Sequence, residues 1–254
     1  MISVCRIILT DIQFMELLKS LYAINSKSGN EECIKSFVLD QLKDLELNIE
    51  EDPFGNVFIT KGTAENYPCV TAHLDEVHEA VERTIVVDNG HIFAIDQHGN
   101  VTACGADDKN GLWIIIQLLH KRPMLKVALF VQEEKDGEIS GCRGSRACSL
   151  NQFDNVRYIL AVDRKGNTDV VNIGKGGIEL CNNSFIPQHI LDKYGYKFVD
   201  GGRTDVVALK ERGLTIPCCN IGCGYYNAHK FNEYTVFSEL QNCLSFVDEI
   251  IEEI

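Results

Sequence analysis

Several features found in many proteins are missing from this chain. It has no apolar run of the roughly 20 residues that a helix needs to cross a bilayer, so we expect no membrane partner. It also has no repeat, no low-complexity tract and no linker rich in proline, glycine and serine. These absences favour a single domain over residues 1–254, a length that can bury a sizeable core.

Basic residues are in deficit. The chain has 24 Lys and Arg against 37 Asp and Glu, and its formal net charge is −13. A protein that binds nucleic acid needs a basic surface to neutralise the phosphates, so we expect no nucleic-acid partner. Clustered carboxylates repel one another, and bound metal ions would neutralise part of this charge.

The start of the chain and its cysteines both favour a cytoplasmic protein. The first six residues lack the small-residue cleavage site of a secretion signal and lead directly into Asp11 and Glu16. The eleven cysteines show no paired zinc-ribbon spacing, and we interpret them as small buried residues in a reducing compartment. A thiolate metal site is the alternative, because Cys69, Cys104 and Cys142 lie near acidic motifs.

Strand and helix patterns alternate along the chain, which is typical of α/β proteins. Apolar spacing predicts helices over residues 11–23, 32–44, 109–119, 144–150 and 204–213 and from about 235 onward. Apolar runs predict strands over residues 56–60, 69–74, 126–131, 158–162 and 216–221. Residues 82–103 have the pattern of a β-hairpin excursion, since Asn89-Gly90 suits a tight turn.

Five short acidic and histidine motifs stand where predicted strands end or loops begin. In chain order they are His73-Leu74-Asp75, Gly105-Ala106-Asp107-Asp108-Lys109-Asn110-Gly111, Gln132-Glu133-Glu134, Asp163-Arg164 and His229. Each motif alone is better explained as a core histidine, a turn or a solvated pair. Glu133 and Glu134 do not fit that explanation, because they follow a buried apolar strand. Together the motifs supply the ligands of a two-metal site and a spare carboxylate.

The metal ligands can be divided between two ions. A two-metal site needs a carboxylate between the ions, and Asp107 is our candidate for it. One ion then takes His73, Asp107 and Asp163, and the other takes Asp107, Glu134 and His229. Zinc is the first choice of metal, although cobalt and manganese accept the same nitrogen and oxygen ligands.

Three further carboxylates have supporting or catalytic roles in this prediction. Glu133 is left without a metal and can act as a general base, taking a proton from water and passing it to a leaving amine. Asp75 can accept the second ring N–H of His73 and so fix its tautomer. Asp108 holds the turn geometry beside Asp107, with an unusual peptide bond between the two. The implied reaction is hydrolysis of an amide or peptide bond.

The motif order resembles that of the co-catalytic dizinc exopeptidases, which include peptidase T, carboxypeptidase G-type enzymes and two-zinc leucyl aminopeptidases. The resemblance covers nearly the whole chain and implies a three-layer α/β sandwich around a mixed, mostly parallel sheet. It also implies two zinc ions and Glu133 as the general base. Residues 201–205, Gly-Gly-Arg-Thr-Asp, resemble a Gly-Gly-Thr-Asp stretch of some members, which makes Arg203 and Asp205 candidate substrate contacts.

One departure concerns the lid domain of the peptidase T and carboxypeptidase G types. Only 66 positions separate Asp163 from His229, and predicted strands and helices occupy them, so we expect no lid. A bare site could be covered by the 82–103 hairpin of a neighbouring subunit. A homo-oligomer is therefore a hypothesis, and a monomer in light scattering would contradict it.

Three functions remain open at the level of sequence. The first is an aminopeptidase acting on peptides, whose acidic cleft would attract a substrate ammonium. The second is an amidohydrolase or dipeptidase that uses the same mechanism on a small substrate. The third is a non-catalytic binding protein, but its mark would be loss of Glu133 or of a ligand, and none is lost. A zinc-dependent cyclising transferase is a minor option that the complete ligand set disfavours.

Overall fold

The computed structural model describes residues 2–79, 81–134 and 141–254, with side chains from residue 13 onward. The helices are α1 (Ile2–Ala23), α2 (Glu32–Asp40), α3 (Ala106–Lys121), α4 (Arg143–Ala147), α5 (Gln188–Tyr194), α6 (Asp205–Glu211) and α7 (Phe237–Glu253). Nine strands form the main sheet: β1 (Leu47–Glu51), β2 (Val57–Lys61), β3 (Tyr67–His73), β7 (Leu125–Phe130), β8 (Val156–Arg164), β9 (Asp169–Gly174), β10 (Ile178–Glu179), β11 (Lys197–Asp200) and β12 (Cys218–Gly222). Five others form a second sheet: β4 (Arg83–Asp88), β5 (His91–Asp96), β6 (Val101–Thr102), β13 (Tyr225–Tyr226) and β14 (Tyr234–Val236).

The main sheet is mixed, with a parallel centre. Its strand order is β1-β2-β7-β3-β8-β12-β9-β10, and β11 pairs with β9. The four central strands β7, β3, β8 and β12 run parallel, whereas β1, β2 and β9 join them through antiparallel pairs. All seven residues of β3 are buried, as expected for a strand that helices cover on both faces.

Helices pack on both faces of this sheet because successive strand residues point to opposite sides. Val70 of β3 belongs to the core beneath α1, α3 and α7, which includes the fully buried Trp113. Its neighbour Cys69 belongs to a second core, where Val206 and Val207 of α6 pack. The predicted three-layer α/β fold is confirmed, and the part of the chain that the structure describes contains no separate lid domain.

The second sheet is built around the 82–103 hairpin. β4 and β5 pair antiparallel, and Asn89 and Gly90 form the turn between them with φ of 49° and 80°. The sequence did not predict that β14 would pair with β5 and that β13 would pair with β14. The Arg83 guanidinium fixes the start of the hairpin through two hydrogen bonds to the buried Glu76 carboxylate, of 2.9 and 3.0 Å. Because β13 and β14 lie on either side of it, the loop that carries His229 is held at both ends by this sheet.

Predicted and observed element boundaries differ in places. α2 ends at Asp40, four residues before its predicted end. β12 starts two residues late because Pro217 has no N–H to donate to a neighbouring strand. α3 is assigned from Ala106, but Asp107 and Asp108 have non-helical φ and ψ, so regular helix begins near Lys109 as predicted. Within the described ranges, no helix combines the length and the apolar character that a membrane span requires.

Candidate metal centre

The topology of the sheet brings the acidic motifs to one edge. His73 ends β3, Glu133 and Glu134 follow β7, and Asp163 is the next-to-last residue of β8. Because β7 and β8 flank β3 and all three run parallel, their carboxyl ends lie side by side. The chain leaves β3 toward β7 on one side and returns to β8 on the other, and open α/β sheets form a ligand crevice at such a switch point.

Asp107, at the start of α3, lies between the two histidines. Its Oδ1 is 3.1 Å from His73 Nε2, and its Oδ2 is 3.2 Å from His229 Nε2. His73 Nε2 is also 3.5 Å from Asp163 Oδ1, and His229 Nε2 is 2.8 Å from Glu134 Oε1. The structure thus brings the five predicted ligands together in two groups that share the Asp107 carboxylate.

The charges of this cluster are poorly balanced by protein groups. Burial raises the pKa of Asp163 to about 7, and the nearby Asp107 carboxylate adds to the effect. Burial and Asp107 also raise the pKa of Glu134. Contacts with Asp107 and Glu134 raise the pKa of His229 to about 10. Burial opposes ionisation of Asp107, but the two imidazoles outweigh it and hold its pKa below the ordinary value. Burial therefore disfavours the negative charges of Asp163 and Glu134, and a bound cation would offset this cost.

The donor set fits divalent metal ions. One ligand atom each from Asp107, Glu134 and His229 lies within 4.8 Å of the other two, so one ion can reach all three. The group around His73 and Asp163 offers a second set of nitrogen and oxygen atoms beside it. Imidazole and carboxylate ligands suit zinc, cobalt and manganese.

Asp75 connects the His73 side of the cluster to the Glu133–Glu134 side. Its Oδ1 accepts the Glu133 amide at 2.9 Å, and its Oδ2 accepts the Glu134 amide at 3.0 Å. The backbone oxygen of Asp75 is 3.0 Å from His73 Nδ1, and its Oδ1 is 3.3 Å from the same nitrogen. Asp75 lies two residues beyond the end of β3. Gln132, with a left-handed φ of 53°, turns the chain where the two amides meet Asp75.

We expect Asp75→Asn to weaken metal binding by about 10- to 100-fold, because the amide cannot accept both backbone N–H groups and orient His73 as well. A competitive chelator titration measures this affinity. The exposed Asp192, in α5, provides the matched control Asp192→Asn. Equal affinities for the two variants would show that Asp75 does not orient the ligands.

Asp108 accepts backbone hydrogen bonds that fix the chain next to Asp107. The peptide bond between the two residues is cis. The Oδ1 of Asp108 accepts the Gly111 amide at 3.0 Å, and its Oδ2 accepts the His73 amide at 3.3 Å. Asp108 therefore links the first turn of α3 to the end of β3. A Cβ at Gly111 would lie 2.5 Å from the Asp108 carboxylate, so this position requires glycine.

Sequence reasoning missed Glu233, which is buried behind Asp107. Its Oε2 accepts the Ala106 amide at 2.9 Å, and its Oε1 accepts the Asp107 amide at 3.3 Å. Such a carboxylate satisfies free N–H groups at the start of a helix. Burial, reinforced by the Asp107 charge, raises the pKa of Glu233 to about 7. No local pattern marks this residue, since it is 126 positions from Asp107.

Lys109 is also buried, but it points away from the ligands. Its Nζ donates to the Ile24 carbonyl at 2.5 Å and lies 3.2 Å from Glu76 Oε1. Burial lowers the pKa of Lys109 to about 8. Lys109 and Arg83 both pair with the buried Glu76 carboxylate. Sequence analysis did not identify Glu76 as part of this region.

A cavity of about 170 Å³ opens at the cluster. Its lining includes acidic and imidazole groups together with basic groups. The basic residues are Arg164, Lys165 and Arg203. Of the two candidate substrate contacts, Arg203 lines this cavity, whereas Asp205 is 4% exposed and accepts the Ser145 hydroxyl at 2.5 Å.

The shifted pKa values predict how the stability of the metal-free protein depends on pH. Asp163, Asp205 and Glu233 have folded pKa values of about 7, above their ordinary values of 3.8, 3.8 and 4.5. Protonation of these three groups stabilises the folded protein relative to the unfolded chain. This contribution to the free energy of unfolding is present at low pH and is lost as pH rises toward 7. The raised pKa of His229 acts in the same direction above pH 6.5.

Calorimetry in chelator should therefore give a higher melting temperature at about pH 5.5 than at about pH 8. Saturating zinc should reverse the trend, because metal ligands bind in their deprotonated forms. A metal-free protein that is more stable at the higher pH would contradict these assignments.

The fold defined by this sheet and crevice is that of PepT- and TET-type aminopeptidases. Aminopeptidase PepT from Bacillus cereus superposes with a TM-score of 0.78 at 16% identity, over 94% of this chain and 97% of that one. A tripeptidase from Staphylococcus aureus gives 0.74 at 17% identity, over 94% and 97%. The TET1 peptidase of Pyrococcus horikoshii gives 0.72 at 15% identity, over 95% and 100%.

These similarities concern structure alone. No protein-family profile matches the sequence, and comparison with curated proteins gives no match. An endoglucanase from Thermotoga maritima and a peptidase/endoglucanase share the same fold at 13% identity. The fold therefore does not determine the reaction, and function has to be argued from the site.

Proposed function

We propose that this protein is a metal-dependent aminopeptidase. The observation that carries the proposal is the Asp107 carboxylate, whose two oxygens lie 3.1 and 3.2 Å from the imidazoles of His73 and His229. With Asp163 on the His73 side and Glu134 on the His229 side, this arrangement supports two divalent ions, zinc being our first choice. A carboxylate shared between two ligand groups is what a two-metal hydrolase needs.

Two divalent ions would polarise the substrate carbonyl and acidify the attacking water. Glu133 lines the cavity without being needed as a ligand, so it can take the proton from water and deliver it to the leaving amine. Burial raises the pKa of Glu133 above its ordinary value, which brings a carboxyl group closer to proton exchange at neutral pH. Asp75 fixes the backbone amide of Glu133 and so orients the base.

The cavity has charges that complement both ends of a short peptide. Its carboxylates would attract the substrate ammonium, and Arg164, Lys165 and Arg203 would attract its carboxylate end. Arg164 is paired with Asp169 at 2.9 Å, whereas Arg203 lies 3.8 Å from Glu211, so Arg203 keeps more of its positive charge available to a substrate carboxylate. The similar structures from B. cereus and S. aureus are an aminopeptidase and a tripeptidase, which supports this choice of substrate.

The test combines metal content with cleavage of matched substrates. Two metal ions per chain, with hydrolysis of leucyl p-nitroanilide and free tripeptides but not of their N-acetyl forms, would support the proposal. Cleavage of the acetylated compounds alone would replace it with an amidohydrolase. No bound metal after reconstitution would overturn the metal site itself.

Self-association is a further prediction about this chain. The P. horikoshii TET1 peptidase assembles into a tetrahedron or a large octahedral shell. We propose that this chain also forms a homo-oligomer that shields its site, and light scattering at micromolar concentration tests it.

A further inference from the structure

A second group of polar side chains lies beside Glu133, apart from the predicted metal ligands. One oxygen of Glu133, the Sγ of Cys142 and one oxygen of Asp205 all lie within 4.8 Å of one another. Cys142 is 1% exposed and Asp205 is 4% exposed, so both are enclosed by protein. The hydroxyl of the fully buried Ser145 donates to Asp205 at 2.5 Å. None of the site roles assigned above uses Cys142 or Ser145.

The backbone holds Cys142 firmly against the segment that carries Glu133. The amides of Cys142, Arg143 and Gly144 donate in sequence to the carbonyls of residues 133, 132 and 131, at 2.7, 2.9 and 3.1 Å. A Cβ at Gly141 would lie 2.2 Å from the Glu133 carbonyl, and one at Gly144 would lie 2.4 Å from the Val131 carbonyl. This approach is possible only with glycine at both positions, and it fixes the distance between Cys142 and Glu133.

The Cys142 thiol is placed as a hydrogen-bond donor. Its Sγ lies 3.1 Å from Glu133 Oε1, well within the range for a sulfur donor. Burial and the neighbouring carboxylates of Glu133 and Asp205 raise its pKa, so the thiol keeps its proton. An S–H group can donate to a carboxylate, whereas a thiolate would repel it.

We propose that Cys142 is a positioning residue for the general base, donating its S–H to Glu133 Oε1 and leaving the other carboxylate oxygen available to the cavity. Asp205, fixed by Ser145, closes the buried side of the same carboxylate and restricts its rotation. This inference rests on the proposed role of Glu133 as the base. It assigns Asp205 to the support of Glu133 instead of to substrate contact.

The inference makes a specific kinetic prediction. Cys142 is neither a predicted ligand nor one of the residues that line the cavity, so its loss should not change metal content or KM. Misplacing a base lowers the rate of the chemical step, so the loss should be in kcat.

The experiment compares Cys142→Ala and Cys142→Ser in the metal-loaded protein. We expect Cys142→Ala to lower kcat by about tenfold, with KM and metal content unchanged. Cys142→Ser should recover most of that loss, because its hydroxyl can donate to the same oxygen. Cys69→Ala, at an equally buried thiol in β3, is the control for loss of packing alone and should keep the wild-type kcat.

Three results would overturn the inference: an unchanged kcat in Cys142→Ala, an equal loss in the serine variant, or an equal loss in Cys69→Ala. If the alanine variant does not fold, Cys142→Gly removes the donor and suits the left-handed φ of 58° at this position. The wild type and Glu133→Gln are assayed alongside. If those two cleave equally, the proposed function fails; if they differ and the Cys142 variants match wild type, only this inference fails.

Discussion

Glu133→Gln is expected to lower kcat by about 10²- to 10⁴-fold, the usual contribution of a general base. Glutamine keeps the size of the side chain and can still receive the Cys142 S–H, but it cannot take a proton from water. The backbone amide of residue 133 still donates to Asp75, so the ligands should stay in place. Steady-state kinetics on a free-amine substrate measures the loss, and elemental analysis should find the same metal content as in the wild type.

The adjacent carboxylate provides a contrast. Glu134 Oε1 lies 2.8 Å from His229 Nε2, so Glu134→Gln should lower the metal content. Its loss of activity should follow from the missing metal. Glu179→Gln, at an exposed position in β10, should change neither quantity. If Glu133→Gln lost metal and Glu134→Gln did not, the two roles would have to be exchanged.

The local parts of the site were predictable because each motif follows a strand. A buried apolar run such as 125–130 indicates a parallel strand, and the residues after it must lie at the edge of the sheet. His73 and Asp163 follow from the same argument applied to β3 and β8. The pairing of Glu134 with His229 also agrees with the predicted division of ligands.

The rest of the site depends on contacts between distant segments, which local patterns do not encode. Glu233 reaches the start of α3 because β14 pairs with β5, across about 140 positions of sequence. Cys142 and Asp205 meet beside Glu133 because α4 packs against α6. Periodicity can identify α6 as a helix, but it cannot say which carboxylate the helix carries into the interior.

Three buried acids around the cluster have the same structural effect. Glu233, Asp108 and Asp75 each accept backbone N–H groups from the segments that carry the predicted ligands or the base. A carboxylate held by such hydrogen bonds is a fixed acceptor, so the segments cannot shift without leaving buried N–H groups unpaired. The predicted ligands are therefore preorganised by a layer of buried acids behind them.

Asp107→Ala is expected to weaken the binding of both metal ions, by about 10²-fold or more for each. Each oxygen of Asp107 faces a different histidine, so one substitution removes a ligand from both groups. Asp163→Asn should differ, because Asp163 contacts His73 and lies in that group alone. Titration of the metal-free variants with zinc, followed by elemental analysis, measures the affinity and number of bound ions.

The two variants together test whether Asp107 is shared. If it is, Asp107→Ala shifts both binding steps of the titration, and Asp163→Asn shifts one and leaves the other at its wild-type position. Circular dichroism should show that both variants fold, since the Glu233 carboxylate still accepts the backbone amide of residue 107 after the change to alanine. An Asp107→Ala protein that loses a single ion and holds the second with wild-type affinity would show that Asp107 belongs to one ion, and the two-metal reaction would lose its bridge.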